Sequence, residues 1–111
     1  MRTSTLFTPR DVSEAELAAV LEQQFEAGWF PAYHRCSIAT EDGTVYVDFD
    51  AAYMDRLKPE EQRTLAAQLG FVPKVVLHVS SSSYHAGSPG LAEVVLRTLC
   101  QQLGGRATVA A

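Results

Sequence analysis

Long apolar runs, clustered cations and paired cysteines are missing from this sequence, and each absence removes a class of protein. No stretch approaches the roughly 18–20 consecutive apolar residues of a membrane-spanning helix; Val75–Leu77 continues to Val79 only across His78. Met1 to Phe7 carries a basic residue but no apolar segment of the secretory type, so no such signal is expected. Two cysteines, Cys36 and Cys100, do not make a disulfide framework in 111 residues. Each sits among apolar neighbours, where a free thiol behaves as a small hydrophobe. A cytoplasmic location is the expectation, with no membrane partner.

Nucleic acid is an unexpected partner, because that affinity rests on clustered Lys and Arg neutralising phosphates. The net charge is −4, and it is unevenly spread. The segment from Asp11 to Glu61 holds twelve of the thirteen acids and only three basic residues, a local charge of −9, whereas the remainder carries +5. An acidic surface of this kind steers a basic protein partner.

Catalytic and cofactor motifs are missing too. No His-x-x-x-His or Cys-x-x-Cys spacing points to zinc, no Gly-x-Ser-x-Gly elbow is present, and no Walker loop occurs. No cofactor is expected. Cys36 with His34 or His78 is a conceivable nucleophile pair, but an inward cysteine on an apolar strand face is usually inert.

What is present is a chain of single-domain length, 47% hydrophobic, with well-marked elements throughout residues 1–111. Thr3–Thr8 reads as a strand ended by Pro9. Ser13-Glu14-Ala15-Glu16 is a capping box ahead of Leu17, Leu21 and Phe25 at helical spacing, and Gly28 is its expected stop. Trp29, Phe30 and Tyr33 follow, as either a core closure or an exposed anchor.

Two alternating runs, His34–Thr40 and Thr44–Asp50, flank Asp42-Gly43. That dipeptide predicts a type I′ hairpin turn, since both central positions need positive φ. Such a turn sets Cys36 opposite Phe49 and Ile38 opposite Val47 on one side. On the other it sets Arg35 opposite Asp50 and Ser37 opposite Asp48. Pro59–Leu69 predicts a helix, Lys74–Ser80 a central strand apolar on both faces, Ser88–Leu103 a second long helix, and Arg106–Ala110 a last strand. The order β-α-β-β-α-β-α-β predicts an α+β, ferredoxin-like split βαβ two-layer sandwich, mainly antiparallel, with helices on one face and an extra helix and strand. Equally, the last strand-helix-strand forms the second half and Pro59–Leu69 is an insertion.

Two surfaces are candidates for function. On the hairpin, Glu41, Asp42, Tyr46, Asp48 and Asp50 form an acidic face for a protein partner. Between strand and helix, the polar loop Ser80–Gly90 offers Ser81, Ser82, Ser83, His85, Gly87 and Ser88 to a small anion at a helix N-terminus, with His85 as the acid or base if a reaction occurs there. A homodimer through a sheet edge or the Trp29–Tyr33 cluster is the third expectation.

Leu69-Gly70-x-x-Pro73, then a strand, then a helix ending Leu103-Gly104-Gly105-Arg106, resembles small uncharacterised bacterial proteins. Some of these sit beside polymorphic toxins and look like immunity proteins. The likeness spans about a third of the chain. It implies a non-enzymatic binding protein of the immunity or inhibitor type, and it transfers no functional residue.

Overall fold

Ser13 opens the first helix as expected: its Oγ accepts the Glu16 N–H at 3.0 Å. Glu16 does not complete a reciprocal cap but pairs with Arg10 instead. The computed structural model describes residues 2–82 and 86–109. Its elements are β1 (Arg2–Thr8), α1 (Glu14–Gln24), β2 (Ala27–Phe30), β3 (Arg35–Thr40), β4 (Gly43–Asp50), α2 (Pro59–Leu69), β5 (Val75–Ser81), α3 (Ser88–Leu103) and β6 (Arg106–Val109). Short 3₁₀ turns cover Pro31–Tyr33 and Met54–Arg56.

The fold class is α+β. One six-stranded sheet runs in the order β2-β3-β4-β5-β1-β6, and every neighbouring pair is antiparallel. β1 lies between β5 and β6, so β5-α3-β6 is a split βαβ unit, and the sheet extends beyond it through β4, β3 and β2. The extension contains a strand that the sequence pattern did not announce. β2 occupies part of the segment read as a helix end and an aromatic cluster, because α1 stops three residues before Ala27.

Alternation divides the sheet into two unlike faces. Leu6, Ile38, Val45, Val47, Leu77 and Val79 turn to one side, where they meet Leu17 and Leu21 of α1 and Val95, Leu99 and Leu103 of α3. Phe7 and Val76 turn to the other, where Leu65 and Leu69 of α2 cover them together with Phe71 and Tyr53. Helices are therefore not confined to one face. The narrow Leu65/Leu69 stripe of α2 caps one end of the second face, and among the described residues no other α-helix covers it.

The hairpin exists, but its turn is displaced. Thr40 pairs with Gly43 across Glu41-Asp42, so Arg35 stands opposite Asp48, Cys36 opposite Val47, Ser37 opposite Tyr46 and Ile38 opposite Val45. Sliding the turn by one residue shifts the pairing by two, which keeps each side chain on its predicted face. Neither Glu41, Asp42 nor Gly43 has positive φ, so the type I′ expectation fails. The Asp42 N–H is taken by the Thr40 hydroxyl at 3.1 Å. Gly43 is needed for space instead: a Cβ there would lie 2.6 Å from the Ser88 nitrogen and 2.7 Å from its Cα.

Candidate functional site

The second face of the sheet carries rows of polar side chains at cross-strand spacing. One row runs Phe30, Arg35, Asp48, His78, Thr5 and Thr108; the next runs Ser37, Tyr46, Ser80 and Thr3. These groups are joined. Arg35 holds Asp48 with two hydrogen bonds of 2.6 and 3.2 Å, and its guanidinium lies 4.9 Å above the Tyr46 ring. Asp50 accepts from Arg56 at 3.0 and 2.5 Å and contacts His78 Nε2 at 2.8 Å. His78 Nδ1 reaches the Thr5 hydroxyl at 3.2 Å, and Thr3 and Ser80 share a hydrogen bond of the same length. Tyr53 packs edge-on to Phe7 and lies beside both His78 and Arg56.

Each predicted hairpin residue has a defined place. Tyr46, Asp48 and Asp50 are partly exposed on this face, and Glu41 and Asp42 are exposed at the turn beside it. The register moves Arg35 from Asp50 to Asp48. That leaves Asp50 for Arg56 and His78, which arrive from a 3₁₀ turn and from β5. The carboxylates of Asp48 and Asp50 are thus compensated within the chain, and Glu41 and Asp42 supply the uncompensated charge. Arg35, Arg56, Thr5 and Tyr53 belong to the network but were not singled out as functional in the sequence, and His78 entered there only as a conceivable partner of Cys36. The alternation of β5 turns His78 to the same side as Val76.

The Arg56 guanidinium, helped by His78, holds the Asp50 carboxyl down to about 2 against the opposing effect of burial. A carboxyl lowered in the folded state stabilises above its unfolded value near ~3.9 and loses that contribution as pH falls toward the folded value. The expected result is a loss of about 1–2 kcal/mol between pH 5 and pH 2 attributable to Asp50, after discounting for the exposed Arg56. Urea unfolding of wild type and Asp50→Asn across that range reads it; parallel pH profiles would contradict it.

The Thr5, His78 and Asp50 chain has the connectivity of a hydroxyl, a base and an orienting carboxylate. Thr5, however, lies mid-strand between β5 and β6, where ladder pairing engages the backbone N–H groups that an oxyanion would need. The chain acts as a tether across three strands.

At the N-terminus of α3 the cap is Gly87, with no side-chain capping bond. Ser88 is buried, and its Oγ accepts the Thr44 N–H at 3.0 Å, while Ser82 N–H donates to Thr44 O at 3.0 Å. A Cβ on Gly87 would stand 2.9 Å from the carbonyl carbon of Asp42. The hairpin turn therefore packs directly against Gly87 and Ser88 at the start of α3. Ser81 and Ser82 are buried at the end of β5; Ser83 and His85 lie outside the described residues.

His34 pairs with Glu14 at 2.7 Å, well apart in role from His78 on Asp50. Cys36 faces the core, away from His78, and burial, aided by Glu22, pushes its thiol up to about 11. Burial also raises Cys100. Cys36 should therefore resist alkylation at pH 8 until the chain unfolds. Mass spectrometry of a short labelling pulse tests this, and two thiols labelled at once would contradict it. Among the described residues no group of three His, Cys, Asp or Glu side chains is placed to hold a metal ion, and no helix is long and apolar enough to cross a membrane.

Comparison with known proteins adds no constraint. No family model, no curated protein and no solved structure matches this chain. The function rests on the geometry.

Proposed function

We propose that this protein is a non-enzymatic interaction module that binds a protein partner through the open face of its sheet, over β2, β3 and β4. What carries the reading is the Phe30, Arg35 and Tyr46 group: an arginine stacked on a tyrosine beside a half-exposed phenylalanine, on a face that α2 covers only at its far end. Aromatic and arginine side chains are the usual energetic anchors of interfaces. Arg35 is already oriented by Asp48, so little side-chain freedom is left to lose on binding. Tyr33, 75% exposed, adds an aromatic side chain in the turn that joins β2 to β3.

Charge takes a secondary part. Because Asp48 and Asp50 are paired internally, Glu41 and Asp42 at the rim favour a basic partner mainly through the association rate. An immunity-type inhibitor, the class implied by the likeness of residues 69–106, is a protein of this kind, with a toxin domain as partner. The test is capture on immobilised wild type and on Phe30→Ser, Arg35→Ala and Tyr46→Ala, with Val94→Ser on the outer side of α3 as control. A partner lost by the three face variants and kept by the control supports the reading. A partner held equally by all of them removes it.

A further inference from the structure

We propose that the groove between α3 and the β1–β6 edge of the sheet binds a mostly apolar monocarboxylic acid. The groove lies on the core side, opposite the open face. α1 packs beside β2, and α3 packs over β4, β5 and β1 and also touches β6. Beyond α3 no described helix covers the inward side chains of β1 and β6, and a space of about 440 Å³ remains there. That volume falls within the roughly 300–1,000 Å³ typical of small-molecule sites.

The walls are apolar: Val79 from β5, Ala92 and Leu96 from α3, and Ala107 from β6. Two hydroxyls interrupt them, Ser4 and Ser81. Ser81 is 3% exposed, yet its hydroxyl makes no hydrogen bond among the described residues. No sealed, unpartnered side-chain oxygen occurs among those residues, so this hydroxyl opens onto the groove. A hydroxyl that opens onto an apolar wall with no partner in the protein is a ready donor to a ligand oxygen.

The lip sets the charge of the ligand. Arg97 borders the groove and makes no ion pair or hydrogen bond among the described residues, so it is available to a carboxylate. Glu93, one turn earlier on the same lip, opposes a second negative charge and so disfavours a phosphate dianion. Apolar walls, two hydroxyl donors and a single available cation beside an acid together fit one carboxylate on an apolar body.

The test is titration of isotope-labelled protein with hexanoate, octanoate, octanol and octyl phosphate, each below its micelle concentration, followed by amide NMR. Saturable shifts are expected at Ser4, Val79, Ser81, Leu96 and Ala107. Affinity should rise by roughly fourfold per buried methylene from hexanoate to octanoate. Octanoate should exceed octanol by about tenfold, the usual scale of a charge-assisted hydrogen bond, and Arg97→Gln should erase that difference. Ala107→Trp should block both ligands by filling the groove. If that variant fails to fold, Ser81→Ala, which removes one oxygen, should still weaken octanoate by about threefold or more. Binding that does not saturate, shifts centred on the open face, equal affinity for octanoate and octanol, or tighter binding of octyl phosphate would each overturn the assignment.

Discussion

Replacing Gly43 by Ala is expected to destabilise the fold by about 3 kcal/mol or more, near the top of the range for overpacking. The added Cβ would meet the backbone nitrogen and Cα of Ser88 at 2.6 and 2.7 Å, and backbone atoms cannot rotate aside as a side-chain tip can. Relief requires the hairpin turn and the start of α3 to part, which also breaks the Thr44 N–H to Ser88 Oγ bond. For a domain of this size the melting temperature should fall by more than about 10 °C. Gly90 is the control. Nothing lies within 4 Å of a Cβ placed there, so Gly90→Ala should be neutral or stabilising by up to about 1 kcal/mol through helix propensity. Equal melting temperatures for Gly43→Ala and wild type would show that the hairpin and helix do not meet as described.

Tyr46→Ala is expected to weaken the captured partner by about 2 kcal/mol, or roughly 30-fold, while changing stability far less. Tyr46 sits mid-strand in β4 with Ser37 and Ser80 as cross-strand neighbours and Arg35 over its ring. Its loss removes contact area and also frees the guanidinium that it helps to orient. Glu41→Gln and Asp42→Asn should behave differently. Both residues are exposed at the rim, so these changes should slow association and flatten its salt dependence, with less than about a fivefold effect on affinity. Calorimetry with stopped-flow mixing separates the two patterns. A larger loss from the rim changes than from Tyr46→Ala would return the recognition to bare acidity.

Much of the fold is legible in the sequence because it is encoded locally. Ser13 marks the start of α1, Pro59 is the first residue of α2, and the two-sided apolar run of β5 places it centrally, as its neighbours β4 and β1 bear out. Alternation also assigns hairpin side chains to the right faces, because a displacement of two residues preserves side. It does not fix the turn. Asp42-Gly43 carries a strong local preference for I′, but Gly43 is held by the close approach of Ser88, a contact between residues far apart in the chain. The same limit hid the polar network. Asp50, Arg56 and His78 come from three segments, and only the sheet order β4-β5-β1 with the Met54–Arg56 turn folded beside it brings them together. β2 escaped for a different reason. Four residues containing a glycine and ending before a proline look like a helix stop, and pairing with β3 makes them a strand.

The recognition surface itself is best tested by amide hydrogen exchange of the protein alone and with its captured partner. Slower exchange is predicted at Phe30, Arg35, Tyr46 and their neighbours on β2, β3 and β4, with the outer surfaces of α1 and α3 unchanged. Protection concentrated on those helices, with the open sheet face exchanging as before, would contradict the account.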